Sequence, residues 1–431
     1  MLRITIILVL ILLAPVAQAL ELSVTLSKVS PEGVWQVDYA FSEAVSELSF
    51  ERTPYAFVES AWKVKSDWAV LKLSSLTVLL DNPGKVLSTE IQGPYDQMIR
   101  GFYTPFLSFS DGSSALFIAH YFPSKVMFGG KWVAIDSIAK RLTIVAPESG
   151  KLWFAEAGKI KDREFTIEGL QQYAYIGSLE IQHQDQFDLI LDPKLPKWVK
   201  GAYDKATREL LTYYQSRTNT SLSFRPLFLI NFKPGSGRPR IDGGAINQQV
   251  AINMVGDGWH QNPEHNLINV LSLIAHEMAH LWNTQYWIST KATPIWMLEG
   301  GANYFAQKAL LNLGYIAAAD YEDNVRKQTD ACGRILALHP FDRLPNRLDY
   351  YTCGEALYYL GDAMLGNPQG LKLWNLIVEP RLGSSYTQQD FIQALVKTKV
   401  SSKDIGVLST ILAGKNHEFD ALAQKYLLDA P

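Results

Sequence analysis

The sequence predicts two parts: an all-β sandwich over residues 20–195, then a mixed α+β domain over residues 196–431 that closes in helices. Three observations predict it. Short aliphatic and aromatic runs separated by turn residues fill the first part, a break falls at Asp192-Pro193-Lys194-Leu195-Pro196, and apolar residues at helical spacing follow.

Ahead of both parts stand Arg3, an apolar run from Ile4 to Leu13, Pro15 and the small-residue pattern Ala17-Gln18-Ala19. This order predicts a signal peptide over residues 1–19, cleaved after Ala19. The apolar core is too short to cross a bilayer, and no cysteine follows to take a lipid. The mature chain is therefore expected to be exported, periplasmic or secreted, with no stable membrane insertion.

In the first part, Leu22 to Val29, Trp35 to Phe41, Leu48 to Thr53, Val70 to Leu80, Ala115 to Phe122 and Phe187 to Leu191 read as strands. Pro31-Glu32-Gly33, Asn82-Pro83-Gly84, Asp111-Gly112 and Glu148-Ser149-Gly150 supply the turns, a cadence that fits a sandwich. His120 and His183 have no histidine neighbour at metal-ligand spacing and read as structural or surface residues. In the second part Lys197 to Arg217 reads as a helix and Pro226 to Phe232 as a buried strand. Lys233 to Arg240 reads as a loop without the Gly-Lys-Ser/Thr of a phosphate-binding loop.

Charged residues make up 19% of the chain, and the net charge of −3 gives no general attraction to nucleic acid, so no nucleic-acid partner is expected. The two cysteines, Cys332 and Cys353, match no zinc-finger spacing; in an oxidising compartment they are expected to form a disulfide.

The informative motif is His276-Glu277-Met278-Ala279-His280, followed by Glu299 in Trp296-Met297-Leu298-Glu299-Gly300-Gly301. Positions i and i+4 share a helix face, so His276 and His280 can direct ring nitrogens at one ion, with Glu299 as third ligand. Three N/O ligands with an open fourth position suit one catalytic Zn2+ per chain. Glu277 then faces the attacking water as general base. Asn262, Pro263 and Glu264 mark the start of the first helix, with Leu267, Leu271, Ile274, Ala275, Met278 and Leu281 on its buried side. Thr293 and Pro294 start a second helix and Gly314 ends it; Gly300 and Gly301 within it imply close backbone approach to the metal helix. Asn303, one turn past Glu299, is placed to orient a ligand. An oxyanion donor is also needed, and Tyr350 or Tyr351 could provide a neutral phenol.

His276-Glu277-x-x-His280 with Glu299 and the run Glu299-Gly300-Gly301-Ala302-Asn303-Tyr304 resembles the gluzincin zinc metallopeptidases of the membrane-alanyl aminopeptidase group. That resemblance implies a thermolysin-like catalytic domain behind an N-terminal β domain, and a peptide or protein substrate. Tyr351-Thr352-Cys353-Gly354 is similar to the group's Tyr-x-Lys-Gly segment, with cysteine in place of lysine, and so implies Tyr351 as the oxyanion donor. Gly243-Gly244-Ala245-Ile246-Asn247 is similar to its Gly-x-Met-Glu-Asn strand, which implies substrate binding by Gly243, Gly244, Ala245 and Asn247. Ile246 stands where the group has the glutamate that binds the amino terminus, so aminopeptidase specificity does not carry over. Leu371 to Leu428 is expected to supply only a few closing helices. Two other readings stand beside a peptidase: a catalytically silent peptide-binding protein, and a zinc hydrolase of non-peptide substrates.

Overall fold

A computed structural model describes residues 20–30, 33–82, 84, 86–93, 95, 102–145, 151–154, 158–160, 164–167, 169–236, 238–261, 263–286, 292–366, 371–378, 385–415 and 418–428. The expected signal peptide, residues 1–19, and the expected cap Asn262 lie outside the described residues. Among the described residues no helix is long and apolar enough to cross a membrane.

The chain forms two compact units that interleave along the sequence. The first comprises Met1–Tyr95, Ala119–Pro147 and Lys161–Leu170; the second comprises Asp96–Ile118, Glu148–Ile160 and Gln171–Pro431. In the first unit a six-stranded sheet is built around Glu21–Lys28 and Val34–Phe41, whose inward residues Leu22, Val24, Leu26, Trp35, Val37 and Tyr39 alternate with exposed or half-buried ones. That alternation is the period-two pattern of strands with one face on a core. A five-stranded sheet accompanies it, and Tyr39 of the first meets Phe50, beside the second, edge to face at 5.8 Å. The expected strand Val70 to Leu80 is two strands, Ala69–Lys72 and Thr77–Leu80, because Leu76 adopts a left-handed φ of 49° after a short 3-10 turn. The unit also holds a short helix, α1 (Tyr55–Ala61).

The second unit begins earlier than the single boundary expected at residue 195/196. Strands Phe106–Ser108, Ser114–Phe117, Lys151–Phe154, Gly158–Ile160 and Tyr173–Gly177 pair with one another in a sheet of this unit. Turn residues show where a strand stops but not which sheet it joins, so the sequence carried no signal for this assignment.

The sheet that carries the site has the order Gln182–His183, Asp188–Leu191, Leu227–Lys233, Gln249–Val255, Arg240–Ile246. Its two inner pairings are parallel, and the 22-residue helix α2 (Lys197–Thr218) makes the crossover. Leu227 to Phe232 and Gln249 to Met254 are buried throughout, as expected of strands covered on both faces. Arg240–Ile246 runs antiparallel at the edge. Against this sheet packs α3 (Pro263–His280), with Val270, Leu271, Ile274, Ala275 and Met278 buried. Leu267, expected on the buried side, is 36% exposed, near the start of the helix.

After α3 come α4 (Gly301–Asn312), α5 (Ala318–Leu338) and α6 (Arg347–Met364), then α7 (Lys372–Val378), α8 (Gln388–Val396), α9 (Ser402–Leu412) and α10 (Phe419–Ala423). Asn346 starts α6 through a capping box in which the Asp349 carboxylate accepts the Asn346 backbone N–H at 3.2 Å. Cys332 of α5 and Cys353 of α6 are joined in a disulfide. A methyl group at Gly300 would lie 2.5 Å from the Gly354 backbone, and one at Gly354 would lie 2.4 Å from the Trp296 carbonyl oxygen. The close approach expected at Gly300 and Gly301 is therefore to α6 rather than to the metal helix, with Gly301 against Tyr358.

Two outcomes follow for stability. Gly300→Ala or Gly354→Ala should destabilise the second unit by about 1–3 kcal/mol through overpacking against backbone, although alanine gains about 1 kcal/mol in helix propensity. Melting of each variant above the wild-type temperature would contradict this. Removing the disulfide, which closes a 21-residue separation, should lower stability by roughly 3 kcal/mol. Denaturant unfolding with and without reductant measures it, and coincident curves would refute it.

Candidate metal centre and cleft

Two successive turns at the end of α3 place His276 and His280 on one face, with their Nε2 atoms 3.2 Å apart. Glu299 arrives from a π-helical turn, Trp296–Gly300, that runs directly into α4. Its Oε2 lies 3.4 Å from His276 Nε2 and 3.2 Å from His280 Nε2. An ion with tetrahedral N/O bonds near 2.0–2.2 Å has ligands about 3.3 Å apart, so these three atoms match one face of such a tetrahedron. All three residues line a single cavity of about 400 Å³.

Each imidazole is held from behind by an asparagine. His276 Nδ1 lies 2.8 Å from Asn303 Oδ1, and His280 Nδ1 lies 2.9 Å from Asn283 Oδ1. The Asn283 amide is oriented because its Nδ2 donates to the Leu298 carbonyl at 2.7 Å. In the neutral rings, an oxygen at each Nδ1 puts the hydrogen there and leaves Nε2 with its lone pair toward the partner ligands. Asn283 went unread in the sequence, although it lies one turn beyond His280 in a π-helical continuation of α3, Leu281–Tyr286. Behind Asn303 sits Glu355, whose buried carboxyl bonds Asn303 and accepts from Asn324 Nδ2 and Tyr359 Oη, both at 2.8 Å. Burial pushes the Glu355 carboxyl up, against those hydrogen bonds.

The ligand cluster favours positive charge. Burial opposes ionisation of Glu299, but the two imidazoles outweigh it and hold the carboxyl below its usual range. Burial also works against charge on His280, yet the neighbouring Glu299 carboxylate raises that imidazole to about 9. Glu277 is buried, and burial is the main cause that raises its carboxyl, with His276, His280 and a backbone hydrogen bond from Ala245 acting the other way. Edge strand and α3 can approach this closely because position 243 is glycine: a Cβ there would meet Glu277 Cγ at 3.2 Å.

Tyr351 stands in the first turns of α6, and its ring is parallel to His276, with centroids 6.1 Å apart. Burial first and Glu299 second raise its phenol, so it stays neutral and able to donate. Arg347, one turn earlier, bonds Glu299 Oε1 through Nη2 at 3.1 Å and also bonds the Tyr351 phenol. Tyr350 faces elsewhere, its hydroxyl accepting the Leu344 N–H at 3.2 Å.

Gly243, Gly244 and Ala245 line the cavity, but Asn247 does not: it forms the hairpin turn after the edge strand, with φ at 49°. Further lining residues are not marked by any motif, Tyr103 and Asp242 among them. Tyr103 lies over Gly244 and donates its hydroxyl to the Ala245 carbonyl at 2.8 Å. Asp242 has a carboxyl that burial, more than the neighbouring Glu277, pushes up to about 7 despite a hydrogen bond with Asn253 and the field of Arg240. His183, by contrast, is exposed and pairs with Asp188 at 2.9 Å, and His120 is buried in the first unit; neither belongs to the group of His276, His280 and Glu299.

No family model matches the chain, and no curated protein matches it. Solved structures do match. An aminopeptidase N family protein from Idiomarina loihiensis superposes with a TM-score of 0.57 at 15% identity, covering 94% of this chain and 76% of that one. Yeast LTA4 hydrolase in complex with bestatin gives 0.51 at 11% identity, covering 94% and 67%. At these identities the likeness is one of fold: several sheets and a C-terminal helical region that resemble aminopeptidase N-like multidomain folds.

Proposed function

We propose that the chain is an exported zinc-dependent metallopeptidase. The observation that carries this reading is the triangle of His276, His280 and Glu299 ligand atoms, 3.2 to 3.4 Å on each side, with Glu277 and Tyr351 lining the same cavity. Those three residues would hold the ion. Bound zinc supplies Lewis acidity that acidifies water and polarises a carbonyl.

The remaining work belongs to the protein. Glu277 takes a proton from the attacking water onto its carboxylate and later delivers it to the leaving amine nitrogen, so that amide and water become carboxylate and amine. Its burial favours that exchange by keeping the carboxyl more basic than one in water. The Tyr351 phenol donates a hydrogen bond to the oxyanion as charge develops there, and Arg347 holds the phenol in place. Gly243, exposed on the edge strand, and the stretch before it offer backbone along which an extended peptide can lie. Ile246 carries no charge to receive an amino terminus, so this reading does not include strict aminopeptidase action.

A mixed peptide library incubated with the zinc-loaded protein should be cleaved, and chelation should stop cleavage reversibly. Glu277→Gln should lower turnover by about 10²–10⁴-fold while retaining one zinc per chain, whereas alanine at His276, His280 or Glu299 should lose the metal. Cleavage under all conditions, or under none, sinks the reading. Asn283→Ala and Asn303→Ala should each weaken zinc affinity by about 10–100-fold, measured by competition with a chelating dye. Tyr351→Phe should instead leave zinc affinity unchanged and lower kcat by about 10²–10³-fold. The opposite pattern would exchange the two roles.

A further inference from the structure

Asp242 and Asn253 form a pair of acceptors that the chemistry above does not use. They stand directly opposite one another on the edge strand and its neighbour, and both line the cavity. Successive side chains on a strand point to opposite faces. Gly243 faces Glu277, whereas Gly244 faces the Tyr103 ring, where a Cβ would lie 2.7 Å away; Asp242 therefore shares the Tyr103 side of the strand.

The hydrogen-bond inventory of this corner is unbalanced. Asn253 is 3% exposed and its side chain bonds the Asp242 carboxyl, yet its own Oδ1 has no hydrogen-bond partner among the described residues. Among the described residues Asp242 has no cationic side chain at ion-pair distance, because Arg240 acts on it only through its field. A carboxyl and an amide oxygen side by side accept hydrogen bonds and supply no charge of opposite sign. Buried acceptors of this kind are costly until a donor arrives. A guanidinium or ammonium brings several donors and the compensating charge together. The walls suit its carbon stem, since Phe102, Tyr103 and Leu348 line the same cavity.

We propose that Asp242 and Asn253 bind a cationic nitrogen of the substrate peptide, and that it belongs to an arginine or lysine side chain flanking the cleaved bond. The assignment deepens the peptidase reading and rests on it for the word substrate. Its position follows from the strand: Asp242 immediately precedes Gly243, where a Cβ would lie 3.2 Å from Glu277 Cγ. Specificity thus comes from an acid near the start of the edge strand, four residues before Ile246 at its end.

Binding tests it without requiring turnover. N-acetylated peptides that differ only in arginine, citrulline, lysine or norleucine are titrated against the metal-free full chain by fluorescence anisotropy, at a pH above 8. Arginine should bind at least about 10-fold more tightly than isosteric citrulline, and lysine than norleucine, as expected for a charge-assisted hydrogen bond. Asp242→Asn should bring both ratios to near one. The comparison between peptides on the wild-type chain stands even where that variant fails to fold. Equal affinity of the charged and neutral peptides overturns the anchor. A gain seen only with a free, unacetylated amino terminus overturns the side-chain source and gives the anchor to the α-ammonium. Measuring kcat/KM on the same peptides separates the two claims. Preferential binding without cleavage refutes the peptidase reading and leaves the anchor standing, whereas cleavage without preference does the reverse.

Discussion

The site depends on one constraint: two imidazoles from α3 and a carboxylate from a separate turn must converge within 3.4 Å of one another in a largely buried position. Spacing inside α3 places the histidines. Nothing in α3 places Glu299. Its position is imposed by packing on both sides of the Trp296–Gly300 turn. Asn283 reaches across to the Leu298 carbonyl, and Gly300 lies against Gly354 so closely that neither tolerates a side chain without movement. The wider π-helical turn at Glu299, and the one that carries Asn283, adjust the direction of side chains that a regular α-helix would send elsewhere.

Four acids lie in or behind this cleft, and their surroundings give each a different character. Glu299 has two imidazoles and an arginine beside it and stays ionised. Glu355 has asparagine and tyrosine donors and serves as the end of a hydrogen-bond chain running through Asn303 to His276. Glu277 is raised by its burial, against the nearby imidazoles of His276 and His280 and one backbone hydrogen bond from Ala245. Asp242 has an amide neighbour but no cation at ion-pair distance among the described residues. Burial alone would treat all four alike. Their partners distinguish them.

What was legible in the sequence was local. His276, Glu277 and His280 are read from helical period, and Asn303 from one turn of spacing beyond Glu299; the structure brings all of them together with Glu299 and Tyr351. Asn283 was within reach of the same reasoning, three residues past His280. Arg347, Glu355, Tyr103 and Asp242 were not, because each reaches the site from an element whose approach depends on tertiary packing. The boundary between the units was hidden for the same reason: of the strands between residues 106 and 177 only the run beginning at Ala115 is legible as one, and the partners of all of them are chosen at long range. Asn247, carried over with the glycines before it, is a turn residue because the hairpin ends there.

The edge strand joins these observations. On one face, Gly243 leaves room for Glu277, while the Ala245 backbone bonds that same carboxylate. On the other, Gly244 admits the Tyr103 ring, whose hydroxyl takes up the Ala245 carbonyl. A peptide lying along the strand therefore meets at Ala245 backbone groups already engaged, and the strand available to it is the stretch toward Gly243 and Asp242. Period-two alternation separates the two sides, with Glu277 on the Gly243 face and Tyr103 on the face that Asp242 shares with Gly244. On the peptidase reading proposed above, a side chain at position 242 can then change without moving His276, His280 or Glu299, so substrate preference would rest on a single strand position that the ligand triangle does not constrain.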